Sequence, residues 1–340
     1  MSGRAESGGG LPAAHGPHPL RVAAAFGAVY LIWGSTYLAI RVAVEEFAPF
    51  VMAAIRFLAA GALLYAFLRL RGVPRPTLRQ WKHASLVGFL LLSCSNAAVT
   101  WAERSVPSGL TAVLCAILPV WMVLLEWLRD RTQRPSLAVL LGVLLGILGV
   151  VVLIGPGLAT TGEKVDLFGA GLIVAGCLTW ALGSILSRGA KAGESAPKSS
   201  PMATAMQMLS GGAILALAAA LNGDWGEFDP AAISPKAWLT LAYLGVFGSV
   251  IALSAYVWLL QVSTPARVST YAYVNPVVAV LLGWAILGEE LSARTLGATA
   301  IIVTAVVVIT TQRSRASAGK SPTAVPSSDK RELAPTPIKR

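Results

Sequence analysis

Arg56 has the clearest capacity for chemistry in this sequence, because it lies near the middle of a long apolar stretch. A charge at the centre of a bilayer costs on the order of 3 kcal/mol, so it faces a cavity or a partner rather than lipid. Its planar guanidinium can hold a substrate carboxylate or phosphate through two parallel hydrogen bonds. The alternative role is structural, with Arg56 bonding carbonyls at a helix break, and the two roles are compatible.

Two amides occupy similarly deep positions. Asn96 lies near the centre of the third apolar stretch, where it either hydrogen-bonds a substrate or joins two helices. Gln207 matches Arg56 when the second half of the chain is laid over the first. A pseudo-twofold axis would therefore place these two polar groups on opposite walls of one chamber.

Two prolines, Pro119 and Pro276, fall at matching positions of the two halves. Each lacks the amide proton that would bond the carbonyl four residues earlier, and these carbonyls belong to Cys115 and Ala272. A free carbonyl at this depth needs a donor, water or substrate. With Asn275 beside the second proline, the pattern predicts paired bends that border a central site and act in gating. Ordinary proline kinks are the alternative.

Aromatic residues complete the predicted site. Trp33 and Trp180 match one another in the two halves, as do Trp101 and Trp258. The second pair could instead belong to an interfacial aromatic belt. A cavity with indole faces and one cation suits an amphipathic zwitterion or an organic anion. The predicted substrate-binding residues are Arg56, Asn96, Trp33, Tyr37, Trp101, Trp180, Gln207, Trp258, Tyr271 and Asn275.

Glu126 is the one acid that the sequence places clearly inside a span, close to its cytoplasmic end. It is the candidate for proton coupling, a role that would need a pKa raised by burial. The alternative is an interfacial ion pair with Arg129 or Arg69, which we favour. With no second acid clearly inside a span, a proton relay has no support from the sequence.

Chemistry of other kinds is not predicted. A membrane-embedded enzyme needs clustered acids, histidines or an activated nucleophile within the spans, and none is visible. The three histidines and three cysteines have no metal-ligand spacing, so we predict neither a metal site nor a cofactor. The cysteines are expected to pack inside the spans, at Cys94, Cys115 and Cys177.

The elements that must position these residues are membrane-spanning helices. Of the 340 residues, 55% are apolar and 13% are charged. A span needs about 20 apolar residues, and the sequence contains ten such stretches. They lie near residues 22–41, 48–68, 84–102, 106–128, 136–155, 166–187, 202–221, 237–260, 266–288 and 292–311. The connections are too short for a soluble domain, so function must lie among the helices.

The net charge of +11 follows membrane topology rather than nucleic-acid binding. Most of the 27 lysines and arginines fall in segments on the same side as the N-terminus. The opposite side holds Arg41, Arg104, Lys164, Lys236 and Arg294. Because basic residues are enriched in cytoplasmic loops, this bias predicts that both termini are cytoplasmic. The expected partners are a lipid bilayer and a small-molecule substrate, and no nucleic acid.

The ten spans divide into two copies of five. One offset places Trp101 on Trp258 and Pro119 on Pro276, and similar offsets align the remaining spans. Since each copy has an odd number of spans, the two lie in the bilayer with opposite orientation. Inverted repeats are typical of secondary transporters, whose substrate site lies between the halves. The predicted organisation is a disordered tail at 1–19, repeats at 20–159 and 160–311, and a disordered basic tail at 312–340.

Specific motifs add a family resemblance. The run Trp33–Tyr37, then Pro49 and Arg56–Gly61, resembles the start of the EamA domain of the drug/metabolite transporter superfamily, closest to its YedA-like bacterial branch. In the second copy, Asn275-Pro276 and Leu287–Glu290 resemble the junction between the family's ninth and tenth helices. The first copy departs from this pattern, having Arg129-Asp130-Arg131 instead of the Gly-Glu-Glu turn.

The resemblance implies an all-α inner-membrane protein with ten helices in two inverted five-helix repeats. It also implies export of amino acids or related small metabolites by alternating access. Efflux of toxic amphipathic compounds and metabolite uptake or exchange remain alternatives, as does a membrane scaffold or accessory subunit. Gly142 and Gly146 in the fifth span allow close helix packing. We favour packing within the bundle for them, with a homodimer interface as the alternative.

Overall fold

The computed structural model describes residues 19–129, 136–154, 166–190, 193–263, 268 and 270–318. Within this part of the chain the secondary structure is helical and contains no strand. We number the helices α1 to α10. They are α1 Pro19–Ala43, α2 Pro49–Leu70, α3 Leu78–Ala102, α4 Ser108–Arg129, α5 Leu137–Ile154, α6 Leu167–Gly189, α7 Ser200–Asn222, α8 Pro235–Val262, α9 Tyr271–Leu287 and α10 Ala293–Ala318.

Seven of these helices are long and apolar enough to cross a membrane, namely α1 to α4 and α6 to α8. The others carry shorter apolar stretches, at Leu137–Gly149, Val274–Leu287 and Ala293–Ala305. The ten predicted spans each correspond to a helix. Boundaries differ by several residues, most clearly at α3 and α10. Residues 1–18 and 319–340, and most of the predicted join between the repeats, lie outside the described residues.

Local sequence signals explain where several helices begin and end. Helix α3 starts earlier than its apolar stretch because Thr77 and Gln80 form a reciprocal capping box. Ser199 and Ser234 cap α7 and α8, each followed by a proline in the first turn. Gly288 ends α9 with φ of 67°, a left-handed conformation that favours glycine.

Helix packing is symmetric under exchange of the two repeats. Helix α2 packs on α7, its equivalent, and α5 packs on α10. Helix α1 contacts α8 and α9 of the second repeat, while α6 contacts α3 and α4 of the first. Each helix pair is thus matched by its counterpart. This exchange symmetry is what two five-helix repeats with opposite orientation require.

The contact between α2 and α7 shows the same symmetry in atomic detail. A methyl group built on Gly61 would lie 3.0 Å from the backbone nitrogen of Leu209, and one on Gly212 would lie 3.0 Å from that of Leu58. The same offset relates Gly61 to Gly212 and Leu58 to Leu209. Each glycine therefore lets the facing backbone approach closely, as small residues do in membrane bundles.

Equivalent π-helical stretches interrupt α3 and α8. They span Phe89–Asn96 in α3 and Leu244–Leu253 in α8, and the offset that aligns Trp101 with Trp258 superposes them. π-Helical turns are rare and occur often at functional sites. Because a π turn widens the helix, it shifts the side chains around it relative to a regular α-helix. Some residues of each stretch line a cavity between the helices, among them Asn96 and Gly248.

The two prolines behave differently. Helix α4 is interrupted at residues 116–117, just before Pro119. Pro276 lies inside α9, which continues through it to Leu287. Of the paired bends predicted from the matching prolines, the described residues show a break in α4, whereas α9 continues through Pro276 without a break.

Candidate functional site

A central cavity of about 100 Å³ lies between the repeats. Helices of both repeats contribute to its wall, including the two π-helical stretches. The structure brings six of the predicted site residues to this cavity. They are Trp33, Tyr37, Arg56, Asn96, Trp180 and Tyr271.

Arg56 is the charged residue of the cavity wall. Its side chain is 5% exposed and lies over the ring of Phe57, with the guanidinium carbon 4.8 Å from the ring centre. Its Nε donates a hydrogen bond of 2.8 Å to Ser249 Oγ. The Ser249 hydroxyl in turn donates to the Leu244 carbonyl, so the second repeat fixes one edge of the guanidinium.

The opposite part of the guanidinium is not satisfied. Nη1 of Arg56 is buried and has no hydrogen-bond partner. A methyl group on Gly248 would lie 3.0 Å from Nη2, so the absence of a side chain there makes room for the arginine. A buried cation with a free donor costs free energy unless an anion or acceptor binds it. The arrangement is that of an anion-binding group facing a cavity.

Four aromatic rings form one cluster beside this cation. Trp33 contacts Trp180, Tyr256 and Tyr271, with ring centres 5.4, 4.9 and 5.3 Å apart. The indole nitrogen of Trp33 donates to the Gly248 carbonyl, and that of Trp180 donates to the Tyr256 hydroxyl. Because their polar atoms are bonded to protein, the rings present apolar faces. The site combines one cation with an aromatic wall.

Asn96 ends the π-helical stretch of α3 and lines the cavity. Its side-chain oxygen accepts a bond of 3.4 Å from Thr100. The bond to its own helix is long, so the amide remains able to bond a molecule in the cavity. Asn96 thus lines the cavity, and its contact with a substrate stays a prediction.

Other predicted residues lie away from the cavity. Trp101 packs edge-on against Phe168, and Trp258 packs against the hydrophobic core. Asn275 is buried, and in the amide orientation that satisfies its neighbours it donates to the carbonyls of Tyr30 and Tyr271. That geometry joins α9 to α1 rather than presenting the amide to a ligand.

Gln207 is also separate from the central cavity. It lines a smaller cavity of about 10 Å³ together with Gln80 and His83. Its side-chain oxygen is buried without a hydrogen-bond partner. In this structure Arg56 and Gln207 therefore do not share one chamber, although they match in the repeat.

The Cys115 carbonyl, which Pro119 leaves without its usual helix bond, has a hydrogen-bond partner on another helix. The thiol of Cys177, on α6, donates to the Cys115 carbonyl over 3.8 Å. Both cysteines line the central cavity. Neither proline is itself part of the cavity wall, but the break in α4 brings Cys115 and Leu118 to it.

Glu126 forms an ion pair across the repeats. Its Oε1 accepts a hydrogen bond of 2.8 Å from Nη2 of Arg188, and both side chains are partly exposed. The sequence suggested an ion pair with Arg129 or Arg69, and the structure shows one with Arg188. The pair lies outside the central cavity.

Sequence reasoning missed two groups that matter here. Ser249, the partner of Arg56, aligns with Leu92 in the first repeat, so the repeat gave no signal for it. Glu103 lies one residue beyond the predicted span at 84–102, yet it is fully buried and neither carboxyl oxygen has a hydrogen-bond partner. Its position next to apolar residues at a span end was the available signal.

The described residues hold no group of three or more metal-ligating side chains. Comparison with known proteins decides the family. The EamA-like transporter family matches residues 22–155 and 167–311, one domain for each repeat. The chain belongs to the EamA-like transporter family.

Individual EamA relatives agree with this assignment. The chain is 41% identical over 284 residues to the uncharacterized inner membrane transporter YedA of Escherichia coli (strain K12), covering 83% of this chain and 88% of that one. It is 25% identical over 288 residues to a chloroplastic WAT1-related protein of Arabidopsis thaliana, covering 82% and 67%. One crystal structure superposes with a TM-score of 0.61 at 22% identity, covering 86% and 98%, and supports the fold.

The chain is therefore a multi-pass membrane transporter of the drug/metabolite transporter superfamily and the YedA-like branch. The ten helices numbered above, all within the described residues, form two EamA repeats, as the sequence predicted. The cavity between them is the candidate substrate site.

Proposed function

We propose that this protein is a secondary transporter that binds the carboxylate of a small amphipathic metabolite, such as an amino acid, at Arg56. It moves this substrate outward across the bacterial inner membrane by alternating access. Both termini are cytoplasmic, as the distribution of basic residues indicates.

One observation carries the proposal: a buried guanidinium with a free donor faces a cavity between the repeats. A carboxylate fits this donor because charge-assisted hydrogen bonds to arginine are strong and directional. The aromatic wall opposite would contact an apolar side chain of the substrate or hold its ammonium group. A purely structural arginine would have its donors bonded by the protein.

The position of the cavity supports alternating access. Arg56 comes from the first repeat and its partner Ser249 from the second, so movement of one repeat against the other alters the site itself. In inverted-repeat transporters the two halves rock around such a shared midplane site. The Arg188–Glu126 pair, which also joins the repeats, would break or re-form during that movement.

The test is flux through the purified protein in proteoliposomes. Vesicles would be loaded with an unlabelled mixture of L-amino acids, and uptake of a ¹⁴C-labelled amino-acid mixture by exchange would be measured. Arg56→Gln should raise the amino-acid concentration that gives half-maximal exchange by about 10- to 100-fold. The reason is that a charged hydrogen bond contributes about 1.5 to 3 kcal/mol. The half-saturating concentration of Arg56→Lys should lie between those of the original protein and Arg56→Gln, since lysine keeps the charge but lacks the planar guanidinium.

Arg104→Gln serves as the matched control, because it removes an exposed arginine and should leave exchange unchanged. If Arg56→Gln inserts normally and exchanges amino acids like the original protein, the site assignment is wrong. If the original protein exchanges no amino acid, an efflux screen of metabolites in overproducing cells would replace the amino-acid class by another.

A further inference from the structure

Glu103 is a buried acid for which the binding site described above has no use. It is the first residue after α3, its side chain is 0% exposed, and neither carboxyl oxygen has a hydrogen-bond partner. An unpaired buried carboxylate costs several kcal/mol, so such a group either binds a proton or acquires a partner. Ionisable residues buried inside membrane proteins are candidates for functional sites, among them proton pathways.

Charged and titratable groups from four elements act on Glu103. Arg41 on α1 donates to its backbone carbonyl, and Arg56 on α2 adds a second positive charge. Cys115 on α4 and Glu289, between α9 and α10, act in the opposite sense. Burial, above all, raises the pKa of the Glu103 carboxyl well above its ordinary value, and the two cations oppose that rise.

The groups that act on Glu103 belong to two cavities. Arg56 and Cys115 line the central cavity. Glu289 lines a second cavity of about 300 Å³, on the side of the molecule where the connection between α3 and α4 lies. A proton on Glu103 is thus within electrostatic reach of both cavities.

We propose that Glu103 carries a proton that travels with the substrate, an inference that rests on carboxylate binding at Arg56. When a substrate carboxylate bonds Arg56, it neutralises one of the two cations that favour ionised Glu103. Glu103 then takes a proton from water, forming an O–H bond at one carboxyl oxygen. When the carboxylate leaves on the other side, the positive charge of Arg56 is restored, and the O–H bond breaks to return the proton to water there.

The coupling has a defined sign. Because binding linkage is reciprocal, protonation of Glu103 raises the affinity for a carboxylate substrate as much as the substrate raises proton affinity. Affinity therefore increases as pH falls through the pKa of Glu103. Outward movement of a carboxylate would release one proton with it, driven by the concentration gradient of the metabolite.

The test uses the amino-acid mixture and a pH-sensitive dye inside the vesicles. Net efflux from the original protein should make the vesicle interior more alkaline. Glu103→Gln, which resembles the protonated form, should retain exchange, lose the alkalinisation and lose the pH dependence of half-saturation. Glu103→Asp, which keeps a carboxyl group, should retain exchange, the alkalinisation and the pH dependence of half-saturation. Glu290→Gln, a change at an exposed neighbour of Glu289, is the control. Unchanged alkalinisation in Glu103→Gln, or loss of exchange in a folded variant, would overturn the proposal.

A substrate-free measurement separates this proposal from the transport assignment. Infrared difference spectra recorded against pH should show the C=O stretch of a buried protonated carboxyl group that is missing in Glu103→Gln. In Arg56→Gln its titration should shift to higher pH, because a positive charge is removed. Absence of the band, or an unchanged titration in Arg56→Gln, would refute the proton role even if amino-acid exchange is confirmed. Failure of exchange with a positive infrared result would refute only the substrate class.

Discussion

At the scale of single residues, the site depends on one incompletely paired cation. Ser249 bonds one edge of the Arg56 guanidinium, and Nη1 is buried without a hydrogen-bond partner in a residue that lines the cavity. The sequence predicted Arg56, because an arginine within a span is conspicuous on energetic grounds alone. It could not predict Ser249, because small hydroxyls in spans usually bond their own helix. Only packing of α8 against α2 reveals that this serine has a second partner.

Ser249→Ala should raise the substrate concentration that gives half-maximal exchange by up to roughly tenfold, because the guanidinium loses the hydrogen bond that orients it. The maximal rate should change less, since the charge remains. Exchange in proteoliposomes over a range of substrate concentrations checks this. Ser254→Ala is the control, because that hydroxyl lies on the same helix and has no hydrogen-bond partner. Equal effects of the two substitutions would contradict an orienting role for Ser249.

At the scale of elements, two π-helical stretches and the break before Pro119 shape the cavity wall. The sequence predicted bends at Pro119 and Pro276, since proline has a known effect on helix bonding. The break before Pro119 is one interruption at the cavity wall, and two others, Phe89–Asn96 and Leu244–Leu253, contain no proline. Nothing in their composition separates them from ordinary spans, because a π turn is stabilised by packing rather than by intrinsic propensity.

The connection between α9 and α10 shows a second feature of this kind. Glu289 accepts hydrogen bonds from the backbone nitrogens of Ser108 and Gly109 and from the Ser108 hydroxyl, at 2.8, 3.1 and 2.7 Å. A carboxylate from the second repeat thus caps the first turn of α4. The negative charge of the Glu289 carboxylate also interacts favourably with the positive, N-terminal end of the α4 dipole.

Glu289→Gln should lower the stability of the folded protein by about 1 kcal/mol, the usual cost of losing a helix cap. The apparent melting temperature of the purified protein in detergent would fall accordingly. Glu290→Gln changes the same charge at the next residue and should have little effect, since Glu290 is exposed. A melting temperature lowered equally by both changes would show that net charge rather than capping is responsible.

At the scale of the whole molecule, two copies of one five-helix unit enclose the site. Their packing is symmetric, and the Gly61 and Gly212 contacts repeat each other across the α2–α7 interface. The site is not symmetric, because Arg56 has no charged counterpart and Gln207 lines a different cavity. A duplicated scaffold can therefore move around a single binding group.

Access to the central cavity should alternate between the two sides of the membrane. With Cys94→Ala and Cys177→Ala, the one cysteine left is Cys115, which lines the cavity. Membrane-impermeant thiol reagents should label it from either side of oriented vesicles, and substrate should change the two rates in opposite directions. A variant that keeps only Cys94, which is not part of the cavity wall, is the control. Labelling from one side under every condition would contradict alternating access.

The sequence by itself determined the class of protein, the ten helices, the duplication and the deep arginine. These follow from periodic signals, namely apolar stretches of span length, a repeated order of motifs and the cost of a charge in lipid. Tertiary structure decided which residues meet. Trp101, Trp258 and Asn275 repeat or stand out in the sequence but pack elsewhere, whereas Ser249 and Glu103 gain their environments from distant helices. The reason is that the direction of a side chain within a bundle depends on helix rotation and local π turns, and neighbouring helices set both.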